Sequence, residues 1–193
     1  SVSVPDSGFA WLPGGDFNGT CDEVPASGWS SMTSGGLNLL VYADGPAGSG
    51  RYWKVTVAVS EKQDSTPMRG VCVWTSTVGW RTLQRYSNGP LSWLDDVDDD
   101  GSAELILWAS FPLNDDASMA EYALGAWVYR LASGDSLVVD WELSRDLARS
   151  LAKEYRSRLD ATTGYPDELR AEAAEALEMF ADGGCGIDPI EDR

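Results

Sequence analysis

The spacing of apolar residues changes once along this chain, and the change divides it into two kinds of structure. Trp53, Val55, Val57 and Val59 alternate with Lys54, Thr56 and Ala58. That is the pattern of a strand, whose side chains point to opposite faces at successive residues. Leu143, Leu147, Leu151, Tyr155 and Leu159 instead recur every four residues, with Ala148 and Ala152 beside them. That spacing stacks them as one stripe on a helix predicted over residues 144–159. A second helix is predicted over residues 166–181. Pro166 suits its first position, Asp167 and Glu168 suit the N-terminal dipole, and Gly183 suits its end. Leu169, Ala173, Leu177 and Phe180 form its buried stripe.

Before the helices, turns recur at short intervals. Strands are expected at residues 37–43, 52–59, 68–77, 80–86, 91–94 and 104–111. A hairpin is expected to join residues 122–131 to 136–141 across Ser133-Gly134-Asp135. The fold expected is therefore α+β: an antiparallel β-sheet meander with two C-terminal amphipathic helices packed on one face. Three segments follow from this within a single domain. Residues 1–35 are loop-rich, 36–141 form the β region, and 142–193 hold the helical pair and tail.

Composition narrows the chemistry. The chain carries 14 Lys and Arg against 31 Asp and Glu, a formal net charge of −17. Such a surface repels phosphate backbones, so no nucleic-acid partner is expected, and anionic membranes are disfavoured for the same reason. There is no His. This removes Ser-His-Asp and Cys-His catalysis, HExxH zinc sites and imidazole pH switches, and leaves carboxylates as the main reactive groups. Apolar residues make up 43% of the chain, nine of them Trp, enough for a packed core rather than a disordered acidic tail. No apolar run is long enough for a transmembrane segment.

The three cysteines, Cys21, Cys72 and Cys185, form no CxxC pair, so thiolate zinc sites and thioredoxin-like chemistry lack support. One disulfide could form in three pairings, of which Cys21 with Cys72 is favoured because both lie in the β-rich part; three buried free thiols are the alternative. A start at Ser1 without Met fits a trimmed secretion signal or a truncated chain. The expected location is secreted, periplasmic or at the cell surface.

The most specific chemistry lies at Asp96-Val97-Asp98-Asp99-Asp100-Gly101-Ser102-Ala103-Glu104. Between Tyr86 and Tyr129 there is no Lys or Arg, yet nine acidic residues, five of them within 95–100. Crowded like charges raise the energy of the folded state unless something neutralises them. A Ca²⁺ ion would do so, because it takes six to eight oxygen ligands at about 2.3–2.6 Å. The expected ligands are the side chains of Asp96, Asp98 and Asp100, the Ser102 carbonyl, and Glu104 directly or through water. Gly101 permits the turn, and Asp95 and Asp99 point outward. An EF-hand would need Glu at the twelfth place, where this chain has Leu107, and its flanks would be helices rather than strands.

Asp-x-Asp-x-Asp-Gly-x-x-Glu-Leu-Ile-Leu resembles the calcium loops of FG-GAP/VCBS-type repeats, found in integrin-like β-propellers and many exported bacterial proteins. The resemblance implies a structural Ca²⁺ that pins a β-hairpin. Gly15-Asp16-Phe17-Asn18-Gly19 resembles the opening of a second such loop, but continues Thr20-Cys21-Asp22-Glu23 without the Asp-Gly pair. Asp16, Asn18 and Asp22 could still bind a cation there, as a weak second metal site. The chain is too short for a closed propeller and ends in helices.

Other readings of the same residues are weaker. Asp95-Asp96-x-Asp98-Asp99 superficially resembles the diphosphate motif of terpene synthases, but those are helical enzymes and these flanks are strands. Asp140 and Glu142, beside Trp141, could serve as a glycosidase carboxylate pair, yet no spacing selects them among 31 acids. Trp29 and Trp80, near turns, could stack on sugars, whereas Trp53, Trp108 and Trp127 sit in strand runs and are expected in the core. The basic face at Arg145, Arg149, Lys153, Arg156 and Arg158 is expected to be a solvated helix face. The function expected is an exported, non-catalytic, Ca²⁺-stabilised binding module for a protein or glycan. The alternative is a carbohydrate-binding or carboxylate-dependent carbohydrate-active protein.

Overall fold

The change of period at residue 142 is a change of secondary structure in the computed structural model. The model describes residues 16–17, 27–34, 36–47, 52–61, 70–76, 92–113, 122–132, 137–159 and 167–183. Among the described residues, nine strands precede two helices: β1 (Asp16–Phe17), β2 (Ser30–Ser34), β3 (Leu37–Ala47), β4 (Tyr52–Glu61), β5 (Gly70–Ser76), β6 (Leu94–Asp95), β7 (Glu104–Pro112), β8 (Tyr122–Leu131), β9 (Leu137–Val139), α1 (Trp141–Ser157) and α2 (Asp167–Ala181). The strand expected at residues 80–86 lies outside the described residues.

All pairings are antiparallel, and the fold is α+β with C-terminal helices. The strands divide into two sheets rather than one, ordered β1-β5-β4-β3-β2 and β6-β7-β8-β9. Each sheet runs mostly as a meander. The exception is β1, which crosses to the far edge and sets Asp16 opposite Trp74 and Phe17 opposite Val73.

One apolar cluster joins both sheets to the helices. Leu39, Val41, Val55, Val57 and Val59 from the first sheet meet Leu105, Leu107, Trp108, Trp127 and Tyr129 from the second, with Ala148, Leu151, Ala173 and Leu177 from the helices. Consecutive residues Leu105 to Trp108, and Ala123 to Leu124 with Ala126 to Tyr129, are all buried. Both faces of β7 and β8 are therefore covered, which explains why these strands read as nearly continuous apolar runs.

Residues 1–35 were expected to be loop-rich, yet β1 and β2 lie there. Ser30-Ser31-Met32-Thr33-Ser34 has no apolar alternation because β2 is an edge strand, exposed except at Ser34. Its periodicity therefore carried no burial signal.

The hairpin after β8 is shorter than expected, and the helix begins earlier. Trp141, expected to end a strand, is the first residue of α1. The cause is Asp140, whose Oδ1 accepts the backbone N–H groups of Glu142 and Leu143, each at 3.1 Å. This is an N-cap, and it satisfies donors that a helix start otherwise leaves without partners. Asp140 also pairs with Arg130 at 3.2 Å. Asp140→Ala is expected to lower unfolding stability by about 0.5–2 kcal/mol, nearly all from the lost cap, since so exposed an ion pair adds little. Urea denaturation would measure this, and a loss equal to that of Arg130→Ala would remove the cap explanation.

The helices do not simply lie over one sheet face. β9 pairs only with Tyr129 to Leu131, so the outer edge of β8 before that point needs other partners. The chain turning into α1 supplies them. Asp140 N donates to Val128 O at 2.8 Å, and Val128 N donates to Ser144 Oγ at 2.9 Å. One helix length further on, Leu124 N donates to Tyr155 Oη at 2.9 Å. Ser144 and Tyr155 are both buried. An open sheet edge is a template for unwanted pairing, and here two helix hydroxyls occupy it.

Between the helices, Arg149 Nη2 donates to Ala181 O at 2.9 Å. The last turn of α2 has no basic residue of its own, so α1 supplies the positive charge that a helix C-terminus favours. Among the described residues, no helix is long and apolar enough to cross a membrane.

Candidate metal centre

The acidic loop connects β6 to β7, at the point where the second sheet meets the edge of the first. Register places Asp95 opposite Glu104 and Leu94 opposite Leu105. Two acids directly across a strand pair repel one another, so this hairpin starts with an electrostatic cost. The loop itself is folded by its own carboxylates. Asp96 Oδ1 accepts Asp100 N–H at 3.0 Å, and Asp96 Oδ2 accepts Gly101 N–H at 2.9 Å. Asp98 Oδ1 also accepts Asp100 N–H, at 3.2 Å. Asp100 Oδ1 accepts Ser102 N–H at 2.7 Å. Short polar side chains bonding the backbone a few residues on are a turn-forming device.

The turn also requires two residues in the left-handed region. Asp99 has φ of 60° and Gly101 has φ of 87°. A Cβ at Gly101 would meet nothing within 4 Å, so the backbone angle rather than space accounts for glycine there.

Three of the expected ligands come together. One oxygen from each of Asp96, Asp98 and Glu104 lies within 4.8 Å of the other two. Asp98 is exposed, Asp96 half-buried and Glu104 buried. Asp100 lies in the same loop with its Oδ1 turned to the Ser102 N–H, and Ser102 is half-buried. Asp95 and Asp99 are exposed. Such an acidic group could hold a metal ion: an all-oxygen carboxylate set suits hard cations. Each carboxylate oxygen that already accepts one N–H retains a lone pair for a ligand bond.

Glu104 is the unusual member. It is only 3% exposed, and its Oε2 accepts Val97 N–H at 2.9 Å. Burial is the main cause that raises its pKa above the ordinary value near 4.5; the Val97 N–H opposes the rise, and Asp98, Asp100 and Asp96 add to it. Among the described residues, no Lys or Arg forms an ion pair with any of these four acids. A buried carboxylate with acidic neighbours and no counter-charge destabilises the ionised fold.

That shift has a testable sign. A raised folded-state pKa means the folded protein holds the Glu104 proton more tightly than the unfolded chain does. The contribution of Glu104 is then most favourable below about 4.5 and is lost as pH rises through the raised value. In chelator, wild type is expected to lose stability relative to Glu104→Gln as pH rises from about 4 toward about 7, across and above the ordinary carboxylate range. Parallel stability–pH curves for the two proteins would show that Glu104 titrates normally.

One contact ties the loop to the other sheet. Ala103 N donates to Thr33 O at 2.8 Å, so the loop anchors the edge strand β2. Below it, Ile106 N donates to Trp93 O at 2.8 Å and Trp108 Nε1 to Ser92 O at 2.6 Å. Sequence reasoning missed Thr33, since nothing in a Ser/Thr-rich edge strand marks one carbonyl as a partner for a residue 70 positions away. The Val97 N–H contact with Glu104 is also invisible in sequence, because any residue but proline at that position supplies the same donor.

Of the remaining sequence candidates, those within the described residues belong to other parts of the fold. Asp16 belongs to β1, paired with β5. Its companions Asn18 and Asp22, and Cys21 of the expected disulfide, lie outside the described residues. Cys72 is in β5 opposite Thr56, but its side chain lies outside the described residues. Trp108 and Trp127 are buried, while Trp29 is half-buried with its ring centroid 6.0 Å from that of Tyr42. The Asp140 and Glu142 pair belongs to the start of α1, where Asp140 caps the helix. No protein-family model, curated protein or solved structure matches the chain.

Proposed function

We propose that this chain is a Ca²⁺-stabilised, non-catalytic binding module of an exported protein. The observation that carries the reading is the convergence of Asp96, Asp98 and Glu104 within 4.8 Å, in a loop with no basic residue near it in sequence. Ca²⁺ is preferred over Mg²⁺ because a wide, partly exposed loop can complete its coordination with carbonyls and water, whereas Mg²⁺ demands near-ideal octahedral geometry. The strand flanks and the resemblance to FG-GAP/VCBS-type loops support a structural ion rather than a sensor: the loop joins β6 to β7, not two helices that an ion could open. The ion would neutralise Glu104 and hold the β6–β7 junction against β2. The ligand of the module would be a protein or glycan.

Isothermal calorimetry would test the metal reading directly. Wild type is expected to bind one Ca²⁺ with a dissociation constant of ~10⁻⁴–10⁻³ M, the range of single extracellular modules. Asp96→Ala is expected to remove the heat of binding. An unchanged isotherm in that variant would place any Ca²⁺ elsewhere. A glycan array probed with and without Ca²⁺ would then separate sugar from protein partners.

A further inference from the structure

We draw no further inference here: the strongest candidate, the cavity of about 360 Å³ between α1 and α2 lined by Arg149, Lys153, Arg156, Glu178, Ala181 and Asp182, has Arg149 and Arg156 paired with Asp146 and Glu178, and nothing in the structure shows what would occupy it.

Discussion

Adding Ca²⁺ to the metal-free protein is expected to raise its melting temperature, and Asp98→Ala is expected to abolish the rise. With a dissociation constant of ~10⁻⁴–10⁻³ M, about 10 mM Ca²⁺ stabilises by roughly 1.4–2.7 kcal/mol, or roughly 3–10 °C for a chain of this size. Asp98 is the right position to remove. It is exposed, so its loss leaves no cavity, and its structural role is limited to one hydrogen bond with Asp100 N–H at 3.2 Å. Any general response of an acidic chain to divalent ions should survive in the variant, because it removes only one charge of a net −17. Equal shifts in the two proteins would reduce the effect to screening, and no shift in wild type would end the Ca²⁺ reading. Glu104→Gln gives a second sign: it should melt higher than wild type in chelator near neutral pH, yet gain less from Ca²⁺.

The second large effect concerns the edge of β8. Tyr155→Phe removes one oxygen and keeps the ring that packs in the core. Its cost should therefore include the Leu124 N–H left without a partner. Leu124 is fully buried, and an unsatisfied buried donor costs about 1–3 kcal/mol. Ser144→Ala should behave alike through Val128 N–H, which is buried by the same helix. Chemical denaturation would measure both. Hydrogen exchange supplies the specific readout: faster exchange at Leu124 in Tyr155→Phe, with Leu107 and Trp127 across the β7–β8 ladder unchanged. A loss below about 0.5 kcal/mol, the scale of an ordinary surface substitution, would mean that water already satisfies this edge.

Both predictions depend on features with different visibility in the sequence. The β8 span was legible because Tyr122 to Leu131 is a long apolar run followed by a Ser-Gly-Asp turn, and its observed bounds are the same. The helices were legible because a stripe recurring every four residues has no other regular solution. The start of α1 was misplaced: Trp141 extends the apolar pattern of the preceding strand, and only the geometry at Asp140 reveals a cap. The division into two sheets was not legible at all. Alternation within a strand reports which face is buried, not which sheet supplies the partner. Edge strand β2 stayed hidden for a related reason, since a strand held by backbone bonds at an exposed edge needs no apolar period.

What the sequence determined by itself is the local chemistry: strands followed by two helices, with the switch expected between residues 141 and 144, and a carboxylate-rich turn whose Asp spacing and glycine let one loop fold on its own side chains. These follow from periodicity, capping and turn preference, which act over a few residues. Only the tertiary structure decided that Glu104 is buried beneath that turn, that Thr33 is hydrogen-bonded to its end, and that Ser144 and Tyr155 close the β8 edge. Each of these joins residues far apart in the chain. Their energies come from desolvation and from buried donors needing partners, and neither is defined until the chain has packed.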